Sequence, residues 1–107
     1  MSERKSTQRK PDEASLDYLY KAVMCLKTRD ECADFFRDLC TTLELKSMSQ
    51  RLLVAKMLTE ENIYNDIVAA TGASTATISR VNRTLNDERS GDGYRTVLER
   101  LEAEDGK

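Results

Sequence analysis

The chain has 107 residues, with 17 lysines and arginines against 19 aspartates and glutamates, a formal charge of -2 and no histidine. That length fits one domain, and 39% hydrophobic with 34% charged residues is a globular composition rather than a membrane or disordered one. The missing histidine excludes Ser-His-Asp and Cys-His catalysis, histidine-ligated zinc and a histidine pH switch within this chain, and the mild acidity argues at first against a nucleic-acid partner.

Residues 1 to 13 are polar and close on Pro11-Asp12-Glu13, with no periodicity that could bury a face; they predict a flexible arm ahead of a folded domain over 14–107. The basic opening residues have no apolar stretch behind them, so no signal peptide is predicted. No run approaches the ~18 apolar residues of a membrane span, and the expected location is the cytoplasm. A chain of this size buries only about two-thirds of its unfolded surface, so a second subunit would help to stabilise it.

From Ser15, the expected N-cap, Leu16, Leu19, Tyr20, Val23 and Leu26 recur at helical spacing and predict the first helix. Thr28-Arg29-Asp30-Glu31 spells a capping box for a second helix. Its face is Cys32, Phe35, Phe36, Leu39, Cys40 and Leu43, which predicts core and interface. Cys25, Cys32 and Cys40 lack metal or redox spacing and are expected to be buried free thiols. Thr41-Thr42-Leu43-Glu44 repeats the capping box and opens a third helix with Leu45, Met48, Leu52, Ala55 and Leu58, broadened by Leu53, Val54 and Met57. A helix apolar on more than one side needs more than one partner, here most simply another subunit.

A short fourth helix, with Asn62 as its expected cap, carries Ile63, Ile67, Val68 and Ala70 and stops at Gly72. Ser74 caps a fifth helix whose buried stripe is Ile78, Val81 and Leu85. Asp87 to Gly93 reads as a loop, and a final helix is expected to bury Tyr94, Val97, Leu98 and Leu101. Nothing alternates with period two over a strand length and no internal repeat is present, so the class is all-α.

The stretch over about 62–86 reads as a helix-turn-helix. Small Ala69 would allow a close helix crossing, Gly72 supplies the turn and Ser74 the cap. The alternative is an ordinary αα-corner with the same glycine turn. Projection of the fifth helix at 100° per residue puts Ile78, Val81 and Leu85 inward and Thr75, Ala76, Ser79 and Arg83 on the opposite side. Small and hydrogen-bonding groups with one cation suit a helix in the major groove, while Thr77, Arg80 and Thr84 suit phosphate or an anionic ligand. Simple solvation of those hydroxyls is the competing reading. No acid occurs between residues 67 and 86, so the net charge conceals a basic head.

Ala76-Thr77-Ile78-Ser79-Arg80 after Thr71-Gly72-Ala73, supported by Ser49-Gln50-Arg51 and by the number and order of helices, resembles the Trp repressor family, and within it the YerC/YecD-type branch of small TrpR-related proteins. The resemblance spans most of residues 15 to 101. It implies a six-helix fold, an obligate, intertwined homodimer, and two recognition helices reading a palindrome with half-sites about one turn, ~34 Å, apart. It assigns Thr75, Ala76 and Ser79 to bases, Thr77 to phosphate and Asn65 to a position from which the family reaches a base edge. Ser74, Arg80 and Arg83 complete the expected DNA-binding set. The family's amino-acid corepressor lies between two arginines, and Arg51 and Arg80 match them, with Thr41 and Thr84 at polar positions of the same pocket. Val81 replaces a glycine that admits the indole, which argues against tryptophan as ligand. One residue is also missing between the third and fourth helices, which would move the reading head relative to the core. The alternative for Arg51 and Arg80 is intersubunit or phosphate contact with no effector.

The expected function is therefore a cytoplasmic, dimeric, sequence-specific DNA-binding regulator, a repressor of a palindromic operator open to control by a small amino-acid-like corepressor other than tryptophan, and needing no metal or catalytic cofactor. Arg80, Arg83 and the basic arm residues Arg4, Lys5, Arg9 and Lys10 would supply phosphate contacts. The alternative is a helical dimeric protein-interaction module with a degenerate helix-turn-helix. An enzyme is disfavoured, since paired catalytic carboxylates, a glycine-rich phosphate loop and metal spacing are all missing.

Overall fold

The computed structural model describes residues 12–105, so the basic residues of the expected arm, Arg4, Lys5, Arg9 and Lys10, lie outside the described residues. Six helices follow in order: α1 (Glu13–Met24), α2 (Arg29–Leu39), α3 (Thr42–Thr59), α4 (Tyr64–Thr71), α5 (Thr75–Asn86) and α6 (Asp92–Asp105). Among the described residues there is no strand, and no helix is long and apolar enough to cross a membrane. The chain divides into two compact units at the Thr41–Thr42 junction.

In the first unit α1 is capped by Asp12, not by Ser15. The Asp12 carboxylate accepts from the Ser15 amide at 3.1 Å and from its hydroxyl at 3.4 Å, so the serine is a donor inside the first turn. The capping box of α2 forms with one displacement. Thr28 Oγ1 accepts from the Glu31 amide at 3.1 Å, but the Glu31 carboxylate takes the Lys27 amide at 2.8 Å instead of that of Thr28. Phe35 and Phe36 meet edge to face with ring centroids 5.4 Å apart. Neither helix buries a single residue. The expectation of buried thiols is corrected accordingly: Cys25 and Cys32 are exposed and Cys40 is half-buried, all three free, because the helices that carry them have no interior.

The second unit holds the core: Val54 and Ala55 of α3, Ile67 of α4, Ala73 in the turn, and Ile78, Val81 and Leu85 of α5. Tyr94 and Leu98 of α6 pack against it half-buried, whereas Val97 and Leu101 are 46% and 45% exposed, so α6 buries less than its stripe predicts. No buried side-chain polar atom among the described residues lacks a partner.

Helix α3 ends where the sequence places a different feature. The Glu61 amide donates to the Leu58 carbonyl and the Asn62 amide to the Met57 carbonyl, both at 3.0 Å, with Glu61 at φ +66°. This is the hydrogen-bond pattern of a Schellman close, with glutamate where glycine is usual. Asn62 Nδ2 adds a second bond to the Met57 carbonyl at 3.0 Å. Asn62 therefore seals α3; the N-cap of α4 is Ile63, with no side-chain bond. Glu61→Gly is expected to stabilise the fold by up to about 1 kcal/mol, because relief of the left-handed strain outweighs the added chain entropy. A thermal midpoint unchanged or lowered would contradict it.

Candidate nucleic-acid interface

Helices α4 and α5 meet through Thr71-Gly72-Ala73-Ser74. Gly72 is left-handed at φ +74°, and its amide donates to the Val68 carbonyl at 2.9 Å. Thr71 stitches the corner: its hydroxyl donates to the Ile67 carbonyl at 2.7 Å and accepts from the Ala73 amide at 3.0 Å. Ala73, 2% exposed, is the buried alanine of this turn; Ala69, to which the sequence gives a place in the helix crossing, is exposed. The polar side chain of Gln50 on α3 also reaches this corner, with Nε2 donating to the Thr71 carbonyl at 3.0 Å.

Ser74 caps α5 as its sequence position predicts, Oγ accepting from the Thr77 amide at 3.1 Å while its hydroxyl donates to Thr77 Oγ1 at 3.1 Å. The first turn of α5 carries no acid, so its positive end is not neutralised locally. Ile78, Val81 and Leu85 are 0%, 3% and 5% exposed and bolt the helix to α3 and α4.

The far end of α5 is equally fixed. Ser90 Oγ donates to the Thr84 carbonyl at 2.9 Å, and the Arg95 guanidinium of α6 donates to the Leu85 carbonyl. Gly91, at φ +89°, lies against the same turn, where a Cβ would stand 2.7 Å from the Thr84 carbonyl oxygen. Beyond it, the Arg89 amide at 2.9 Å and its guanidinium hold the Asp87 carboxyl below the ordinary carboxylate range.

The predicted DNA-binding residues lie on this corner and on α5, except Asn65, which is in the first turn of α4. Asn65, Ser74, Thr75, Ala76, Ser79, Arg80 and Arg83 are exposed, and Thr77 is half-buried. The predicted effector residues differ in exposure. Arg51 on α3 and Arg80 on α5 are exposed, Thr84 is half-buried with its hydroxyl turned back to the Arg80 carbonyl at 3.2 Å, and Val81 belongs to the core. Thr41, also exposed, belongs to the first unit. A cavity of about 560 Å³ between α3, α5 and α6 is lined by Leu52, Thr84, Gly91, Gly93, Tyr94 and Val97, and shares only Thr84 with that set. Two features of the site carry no signal in residue spacing: the reach of Gln50 to the corner, and the closure of α5 by Ser90 and Arg95.

A sequence profile of the Trp repressor protein family matches residues 14–102. The chain is 51% identical over 86 residues to the uncharacterized protein YerC of Bacillus subtilis (strain 168), covering 80% of this chain and 81% of that protein. It is similar to the crystal structure of a TrpR-like protein from Eubacterium eligens ATCC 27750, at TM-score 0.79 and 53% identity, over 84% of this chain and 91% of that one. It is similar too to a candidate Trp repressor from Staphylococcus aureus, at TM-score 0.79 and 47% identity, over 85% and 89% of the two chains. The chain belongs to the Trp repressor family, a family of DNA-binding regulators.

Proposed function

We propose that the protein is a cytoplasmic transcriptional repressor that binds a palindromic operator as a homodimer and blocks transcription by occupying it. The observation that carries this reading is the face of α5: an exposed, acid-free row of hydroxyls with Arg80 and Arg83, fixed to the core by Ile78, Val81 and Leu85. Arg80, Arg83 and Thr77 supply phosphate contacts, while Thr75, Ala76 and Ser79, with Asn65 from α4, face base edges. No catalytic step is involved.

Dimerisation is supported by what the single chain leaves in water. Helices α1 and α2 fully bury no residue, and Tyr18, Met24 and Leu43 are 78%, 84% and 76% exposed. Uncovered apolar side chains of this kind suit burial against a second subunit. Tryptophan is not the expected effector, because Val81 is packed into the core with a branched side chain where the family's ring approaches the backbone. A smaller amino acid held between Arg51 and Arg80 is the effector reading to test.

The test is selection of genomic fragments by the purified protein, repeated with each free amino acid. The expected result is an enriched palindrome whose binding weakens steeply as salt rises. No enriched palindrome under any condition would sink the reading and favour a protein-interaction module.

A further inference from the structure

We propose that Gln50 is a positioning residue for DNA reading: it ties the corner between α4 and α5 to α3 and so sets the direction in which α5 meets the duplex. The proposal rests on the DNA-binding function proposed above.

Thr71 is the last residue of α4, and its carbonyl is one of the last-turn acceptors that no amide of the same helix can satisfy. Gln50 Nε2 takes that acceptor at 3.0 Å from a helix 21 residues away in sequence, in a part-buried setting where water competes less than at the surface. The other bonds of the corner, Thr71 to Ile67, Ala73 to Thr71 and Gly72 to Val68, are local and shape the turn without anchoring it. Apolar packing of Ile67, Ile78 and Val81 holds α5 near α3 but is non-directional. A directed bond at the corner supplies what that packing lacks.

The lever is long. Helix α5 has 12 residues, so it spans about 18 Å, and with its far end held by Ser90 and Arg95 a swing of about 10° about that end carries its first turn, with Thr75 and Ala76, by about 3 Å. That exceeds the tolerance of a hydrogen bond to a base edge, whereas phosphate contacts through a flexible arginine accommodate it. Loss of the tether should therefore damage selectivity before it damages general DNA affinity.

Gln50→Met keeps the length of the side chain and removes the donor. It is expected to lower affinity for the selected operator about three- to tenfold, the range for one hydrogen bond, and affinity for a scrambled duplex less than twofold. Amides of Gly72 and Ala73 should exchange faster with deuterium. Gln50→Glu places a carboxylate against the Thr71 carbonyl at neutral pH. Its operator binding should begin to recover as pH falls below about 5, where the carboxyl starts to regain a proton to donate. The wild-type chain has no histidine and should show no comparable recovery.

A Gln50→Met variant with the wild-type ratio of operator to scrambled affinity, or with equal loss on both, overturns the proposal. So does a Gln50→Glu variant whose binding is flat with pH. A wild-type protein that selects no sequence sinks the DNA-binding function and this proposal with it; a selective wild type beside an unaffected variant sinks the proposal alone.

Discussion

Ile78→Ala is expected to destabilise the fold by about 3–4 kcal/mol and to abolish selective DNA binding at 37 °C. Its side chain is fully buried and is among the largest such groups, with Ile67 and Val54, in a core whose described buried residues number seven. Removing three carbons there loses transfer free energy and leaves a cavity that rigid neighbours on α3 and α4 close only in part. Domains of this size have about 5–15 kcal/mol in total, so one such substitution removes a large share. The same residue fixes α5, and its sequence neighbours Thr77 and Ser79 belong to the proposed reading surface, so folding and recognition should fail together. Urea unfolding at fixed protein concentration is the measurement, because a dimer's midpoint depends on concentration. A cost below about 1 kcal/mol would mean that α5 is held mainly by its hydrogen-bonded ends.

The corner between α4 and α5, with α5 itself, was the most legible part of the chain, for a physical reason. The inward spacing of Ile78, Val81 and Leu85, the left-handed demand met by Gly72 and the side-chain cap of Ser74 are all local, and each leaves its mark in a few residues. Where several donors compete, local rules mislead. Asp12 and Ser15 both suit a cap, and the aspartate lies at the distance from which it can accept the serine amide. Asn62 suits the start of α4, but the Met57 carbonyl lies within reach of both its amide and its side chain, and the glutamate before it adopts the left-handed turn.

The thiols show a different limit. Apolar periodicity reports which face of a helix is to be covered, not what covers it; α1 and α2 carry such faces and the single chain does not bury them. The expectation of burial for Cys25 and Cys32 fails within the chain because it assigned to one chain what its faces leave uncovered. Gln50 shows a third. A long polar side chain on a helix reads as solvent-facing, and only the placement of Thr71 beside it reveals a partner 21 residues away.

Arg83→Ala and Ser79→Ala are expected to separate affinity from specificity. Both side chains are exposed, so neither substitution removes core packing, and any stability change should stay within about 0.5 kcal/mol. Arg83 lies in the last turn of α5, in the acid-free stretch, as a charge suited to phosphate. Its loss should weaken operator and scrambled duplex alike, by about tenfold or more at low salt. It should also flatten the salt dependence by about two in the log–log slope, one for each protomer of the dimer. Ser79 carries no charge. Its hydroxyl discriminates only where it meets a base edge, so Ser79→Ala should leave scrambled-duplex affinity and salt slope unchanged while relaxing preference at one position of each half-site by about 1 kcal/mol. Titration of both variants against operator, single-base operator changes and scrambled duplex, at two or more salt concentrations, resolves the pair. Equal losses on all duplexes from both variants would show that α5 approaches DNA without reading it, leaving the phosphate contacts to carry the whole interaction.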